Sequence, residues 1–498
     1  MKMLKLAAFV ASASMLMACG SSSDNDETPY VAPDINMEKA AMVLETNADI
    51  AYATYSDSVA TAVALKAALT AFRADPSQEK LDAAKLAWLV SREPYGQTEV
   101  YRFRNSPIDS TDYESEDGPE GDINAWPLGE ALIDYVKVND TDFGTGQIGV
   151  TAHSVGEEGV LPESIDVTNA VGNNIIETTE IVIDAALLAN TASATDEHDV
   201  IAGYHAIEFL LWGQDLNNDA GVTNATDRDE AVKTEAVKTA AEPVNAFANG
   251  GQRSVDDFQY TTVNDNSVGD RRHQYLEVAV DKLIADLTQV QEGWSSEIED
   301  NYRSQFVTIA NEAEAKQKLT EILTGMGTLS EGELAGERMQ IAFVNNSQED
   351  EHSCFSDNTH RDIWLDAEGV SNSYNGVYAG YDSDLDGIDD VTTNAVNGYG
   401  IDAYLAEVGL ESYATEAEEA LAETVDNYEA IDALARNGQP FDVLIMSAPT
   451  EDSAIGKTII SLNNQAQAIQ EIATALGLGD VVDDEASGCN TASATTGC

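Results

Sequence analysis

A histidine and a glutamate three residues apart, His205 and Glu208, stand inside the apolar run Gly203-Tyr204-His205-Ala206-Ile207-Glu208-Phe209-Leu210-Leu211-Trp212. At helical spacing Ile201, His205, Glu208 and Trp212 share one stripe, while apolar side chains cover most of the remaining circumference. A helix of that kind is buried. Burying an ionisable pair costs on the order of several kcal/mol unless the members are paired, hydrogen-bonded or bound to a metal. Two chemistries meet the requirement: a pair that satisfies itself in the core, or two ligands on one helix face, as histidine and carboxylate three apart serve in helical-bundle metal sites. Nitrogen with carboxylate oxygen suits iron or zinc better than calcium and does not choose between those two.

Two ligands do not hold a metal firmly, so further ones must come from distant segments. Glu99 is the first candidate. It lies in 93–103, a stretch dense in aromatic and ionisable residues, and its spacing from Arg102 also fits a surface ion pair. His352, His360 and Asp357 follow, from the polar cluster 348–362, whose bland alternative is a hydrogen-bonded loop. A third pattern, Asp382-Ser383-Asp384-Leu385-Asp386-Gly387-Ile388-Asp389, offers oxygen ligands at alternate positions before a glycine, as a calcium loop requires. Its ligands would be Asp382, Asp384, Asp386 and Asp389, and an acidic surface loop is the competing reading. Position twelve from Asp382 is Thr393, where an EF-hand places a bidentate glutamate.

These groups must be positioned by helices. Residues 37–73 read as one or two helices, and Asp75-Pro76-Ser77-Gln78 as the start of another that places Trp88 and Arg92 on one side before Pro94. Helical patterns recur at 128–136, 164–188, 271–287, 310–325, 415–436 and 453–476, and Thr195 or Asp196 is placed to cap the helix of His205. Extended alternation is scarce, so strands should be few.

The chain of 498 residues has a formal net charge of −64. Such a field repels phosphate backbones and anionic lipid, which argues against nucleic acid, and most of it reads as solvation. Two lysines, the short apolar run 6–17 and Leu16-Met17-Ala18-Cys19 form a lipoprotein signal over 1–19, with Cys19 lipidated and 20–36 a tether. Gly20 and Ser21 after Cys19 favour the outer membrane, with the lipid as the sole membrane contact. In an exported protein Cys489 and Cys498 would close a small loop in the tail 481–498, leaving Cys354 unpaired.

Residues 203–208 with Leu211-Trp212-Gly213-Gln214-Asp215 resemble the GxHxxE signature of the imelysin family, which includes iron-regulated protein A and insulin-cleaving metallopeptidases. Pro94-Tyr95 with Gln97-Thr98-Glu99, the run 105–109, Asn124-Ala125-Trp126-Pro127 and the run 348–357 also resemble that family, in its order. The resemblance implies an all-α domain over 37–480, built of two helical-bundle halves, about 37–270 and 271–480, with the signature at their junction. It also implies an exported, often lipid-anchored protein tied to iron supply, whose partners would be a metal ion or iron chelate and an iron-transport membrane protein. The segments 217–226 and 382–390 look like insertions. The family's other activity, a zinc-type metallopeptidase, finds little independent support in the residues. HExxH is absent from the sequence, and no obvious base stands by for a bound water.

Overall fold

The computed structural model describes residues 30–113, 115, 117–126, 128–134, 136–137, 143–144, 174–188, 200–213, 253–346, 350–482 and 488–496. Cys19, Thr195, Asp196 and Cys498 lie outside them, as does the segment 217–226. Among the described residues, regular structure is helical apart from two antiparallel two-residue strand pairs, Val136–Lys137 with Phe143–Gly144 and Val377–Tyr378 with Val396–Asn397. The fold is all-α.

The first long element is a single helix, α1 (Met37–Ala74), started by the Asn36 side chain, which accepts from the Lys39 amide at 3.2 Å. Asp75 ends α1 and does not begin the next helix: its amide returns to the Ala71 carbonyl at 3.1 Å, and Ser77 takes the N-cap position of α2 (Gln78–Gly96). Pro94 does not stop α2. The helix runs to Gly96 and a 3-10 turn, Glu99–Tyr101, follows. The expected helix over 164–188 is confined, among the described residues, to Ala185–Leu188. The reason is buried Arg271, whose guanidinium donates to the carbonyls of Ile175, Ile176, Thr178 and Ile181; a helix there would consume those acceptors.

The helix that carries His205 is α3 (Gly203–Trp212), and every one of its residues is buried. It begins at Gly203 with φ +84°, and a Cβ there would sit 2.4 Å from the Ile123 carbonyl oxygen, so the position is closed to any side chain. Next come α4 (Val268–Trp294) and α5 (Glu312–Thr328), the latter continuing into a π-helical segment, Leu329–Ile341. Then follow α6 (Thr359–Asn375), α7 (Glu411–Arg436) and α8 (Ala454–Ala475).

Two helical groups result. α1 packs on α2 and α4, and α4 also packs on α3, so the first group extends to Trp294. In the second group α8 packs on α7, α5 and the π segment. α6 bridges them, lying against both α2 and α7. The loop 350–358, which enters α6, therefore reaches the buried face of α3. None of the described helices is long and apolar enough to cross a membrane.

Candidate metal centre

His205 and Glu208 meet as their spacing requires: Nδ1 lies 2.9 Å from Oε2. The other glutamate oxygen is also engaged, because Oε1 accepts from the Ser356 amide at 2.9 Å and from its hydroxyl at 2.6 Å. Glu208 is thus held from two sides, and His205 presents its other nitrogen. Nε2 is buried and has no hydrogen-bond partner among the described residues.

A second imidazole stands beside the first. The rings of His205 and His352 are edge to face with centroids 4.7 Å apart. His352 repeats the arrangement of His205, since its Nδ1 lies 2.8 Å from Oδ2 of Asp362. Asp362 also accepts from Arg92 at 3.1 Å, from Asn358 at 3.2 Å and from the Ser353 hydroxyl. The Asn124 amide nitrogen reaches His352 Nε2 at 3.3 Å, while its oxygen accepts from Arg92 at 2.6 Å. Because Asn124 points a donor at Nε2, that nitrogen carries the lone pair and Nδ1 carries the proton given to Asp362. Each imidazole is therefore oriented by a carboxylate behind it, which is how ligating histidines are held in metal sites.

The electrostatics agree with neutral rings. Burial, aided by Arg92, pushes His205 down to about 3, and burial with Arg338 holds His352 well below the usual histidine value. Burial raises Glu208 to about 8 against the opposing hydrogen bonds from Ser356. Burial would raise Asp362 as well, but Arg92 and the bonds from His352 and Ser353 outweigh it and hold the carboxyl well below its ordinary range.

The two imidazoles line one small cleft with Glu130, Glu351, Cys354 and Trp126. Trp126 packs edge-on to His352 with centroids 4.6 Å apart, and the guanidinium of Arg338 lies over the same indole at 5.3 Å. Beneath them is a network of buried charge. Arg338, from the π segment, pairs with Glu99 and Glu333 at 2.9 Å each and with Asp366, and Arg102 joins the same two glutamates.

The other predicted ligands are placed differently. Glu99 is brought close, its Oε1 lying 3.5 Å from Asn124, but its carboxylate belongs to the arginines: burial would raise it, and Arg338 with Arg102 hold it down at about 2. Its pairing with Arg102 is buried rather than on the surface. His360 Nδ1 faces the Asp357 carbonyl at 3.0 Å and Nε2 faces Asp432 at 3.6 Å, so its ring is turned to α7. Asp357, buried at φ +58°, contributes that carbonyl and shapes the turn into α6.

Among the described residues, the acidic or thiol and imidazole groups with three ligand atoms within 4.8 Å of one another are Asp382, Asp384 and Asp386. Asp389 is not in that group. The Asp382 carboxylate is already bound by backbone amides of Asp384, Leu385 and Gly387 at 3.1, 2.7 and 2.6 Å. Cys489 is disulfide-bonded, while Cys354 keeps its thiol.

The residues that hold the two imidazoles and Glu208 in place were not named as site residues from the sequence: Asn124, Ser356, Asp362, Arg92 and Arg338. Ser356 and Asp362 lie in the same polar run as His352, and Asn124 in the run 124–127, while Arg338 carried no signal. As a test of fit for a metal, the cleft offers one buried nitrogen without a partner and a second imidazole nitrogen held only by an amide. Both are neutral and backed by carboxylates, which suits a cation that takes nitrogen donors.

The matched sequence and structures agree with this architecture. No curated protein matches the sequence. The fold is shared with the crystal structure of a protein described as an iron-regulated protein A precursor from Parabacteroides distasonis ATCC 8503. That match has 14% identity and a TM-score of 0.52, covering 91% of this chain and all, 100%, of that one. It is shared too with an imelysin-like protein from Psychrobacter arcticum 273-4, at 14% identity and TM-score 0.50 over 90% of this chain and 98% of that one. The Imelysin family model matches residues 51–477, which hold α3, the cleft and both helical groups. The chain belongs to the imelysin family.

Proposed function

We propose that this protein is an exported, lipid-anchored metal-binding protein of iron supply, taking a metal ion or a small iron chelate at the cleft between α3 and the loop 350–358. The observation that carries the reading is the buried, unpartnered Nε2 of His205, oriented by Glu208 and set beside His352, which Asp362 orients in the same way. His205 and His352 would hold the metal through Nε2. Asp362 would keep the His352 ring in the tautomer that leaves Nε2 open, Glu208 would orient the His205 ring through Nδ1, and Ser356 would keep Glu208 in place. A bound metal would supply Lewis acidity or a coordination position for an exogenous anion. The acidic surface would raise the local cation concentration around the cleft. The signal at 1–19 and Cys19 support export and lipid anchoring, and the family's link to iron-regulated proteins supports the place in iron supply.

The test is metal analysis and equilibrium dialysis of the purified full chain beside His205→Gln and His352→Gln, with iron and zinc offered separately. One metal per chain in the parent and at least tenfold weaker binding in both variants is expected. Equal retention by all three would refute the site. Peptide cleavage by the parent that disappears in the same variants would move the assignment to the metallopeptidase reading.

A further inference from the structure

Behind the loop that holds Glu208, two buried groups face each other without bonding. His360, at the start of α6, is turned away from the cleft, and its Nδ1 lies 3.0 Å from the Asp357 carbonyl oxygen. A carbonyl only accepts, so Nδ1 carries the ring proton and Nε2 of the neutral ring carries a lone pair. That nitrogen faces Oδ1 of Asp432 on α7, 3.6 Å away. Both residues are more than nine-tenths buried, and neither Nε2 nor Oδ1 has a hydrogen-bond partner among the described residues. Two acceptors that meet in the interior repel, which accounts for a separation too long for a bond. The other Asp432 oxygen is fixed: it accepts from Arg436 Nε at 2.6 Å, and Arg436 Nη1 donates to the Leu385 carbonyl at 3.0 Å. At the other end of the contact, Asp357 adjoins Ser356, whose amide and hydroxyl hold Glu208.

We infer that His360 and Asp432 form a proton-operated latch between α6 and α7, which on taking one proton at Nε2 draws the loop 350–358 toward α7 and loosens the hold of Ser356 on Glu208. Its effect on a bound ligand rests on the metal-binding reading above; the latch itself does not. A proton from solvent turns the facing acceptors into an imidazolium and a carboxylate. One N–H bond forms, no electron moves, and hydrogen bonds of that kind close to about 2.7–2.9 Å. Because Arg436 pins Asp432, the ring moves rather than the carboxylate, and the Asp357 carbonyl bonded to the ring moves with it. The charged groups acting on the ring are Asp432 and Arg436 from α7 and Arg361 from its own helix, the last paired with Glu93 of α2. Burial outweighs the attraction of Asp432 and, aided by the two arginines, holds His360 down to about 4. The latch is therefore open at neutral pH and closes in acid.

Asp432→Asn tests the latch in the full chain, because the carboxamide keeps an acceptor for Arg436 and offers Nε2 an N–H without an added proton, so the latch is closed at any pH. Cys354, in the same loop and outside any disulfide, reports the loop's position through its rate of reaction with a pyridyl disulfide, a reagent that attacks thiols in acid as well as at neutral pH. At about pH 7 the rates in parent and Asp432→Asn should differ at least threefold, with the circular-dichroism spectrum unchanged. As pH falls through about 4 the ratio should return to one, because the parent latch closes too. Rates that agree at neutral pH, or a ratio that does not move in acid, would overturn the latch. Zinc, dialysed against both proteins at about pH 7, should bind Asp432→Asn at least fivefold more weakly. In a Ser356→Ala background, Asp432→Asn should cost no further affinity, since the link to Glu208 is already cut. An equal further loss there would overturn the path through Ser356. No zinc bound by the parent would overturn the metal reading instead, and the thiol rates would still decide the latch.

Discussion

Acidic side chains crowd together in two places, and they are used in opposite ways. In the loop at Asp382 three carboxylates converge within 4.8 Å, partly in solvent, and the first of them is already satisfied by its own backbone. At the junction of the helical groups the carboxylates do not converge on one point. Glu208 and Asp362 each stand behind an imidazole, and Glu99, Glu333 and Asp366 surround arginines. Convergent carboxylates make a local cage for a hard cation; carboxylates behind histidines leave neutral nitrogen facing a cleft. The difference also sets the cost of error, because the loop is wet and the junction is not.

Asp362→Ala is the largest disruption expected. It would leave Arg92 and His352 buried without their common acceptor, at a cost of about 3–5 kcal/mol read from urea unfolding. Asp384→Ala, on the exposed loop, should leave the midpoint unchanged, and equal losses in the two variants would erase the contrast. Next is Ser356→Ala, which removes a hydrogen bond to the buried Glu208 carboxylate and should cost about 1–3 kcal/mol. It should also weaken metal binding about tenfold, through the orientation of His205. Full affinity with reduced stability would limit Ser356 to a structural part.

Smaller and opposite in sign are the pH effects. Burial, then Asp389, raises Glu368 behind the loop to about 8, so the stability linked to it is complete below its unfolded value and lost as pH rises through about 8. Burial lowers His273 to about 4 and His360 to about 4, so their contribution is present above the unfolded histidine value and lost as pH falls through about 4. Glu368→Gln should therefore raise the unfolding midpoint over the parent at about pH 9 and not at about pH 4, with the acid limb unchanged. An equal shift at both ends would show that Glu368 does not titrate as its surroundings dictate. The least effect belongs to calcium. Millimolar calcium should raise the melting temperature by about 2 °C through Asp382, Asp384 and Asp386, and not in Asp384→Asn. Superimposable curves would return the loop to plain surface.

What could be read from sequence follows from how far each partner lies along the chain. His205 with Glu208, and Asp382 with Asp384 and Asp386, are local pairs whose geometry the backbone period dictates, and both were legible. Helix α3 was legible as buried because its apolar residues go all round. Glu99 was noticed with one of its two partners: Arg102, three residues away, does pair with it, whereas Arg338, which also binds it, is 239 away. Ser356 is separated from Glu208 by 148 residues, and no periodicity announces such a meeting. Asp75 was misread because an acidic residue before proline suits a helix start, while in the folded chain it completes the preceding helix.

The glycine that opens α3 has a consequence for inheritance. Because the Ile123 carbonyl occupies the space where its side chain would be, Gly203 records the presence of the segment 119–126, and that segment also delivers Asn124 and Trp126 to His352. The first letter of the motif is thus a receipt for a different stretch of chain. Grafting 203–212 alone into another helical bundle would transfer a histidine and a glutamate but not the cleft, whereas moving the two segments together would carry the walls with the ligand. A descendant that lost 119–126 would be released from the glycine as well, so the two should disappear together.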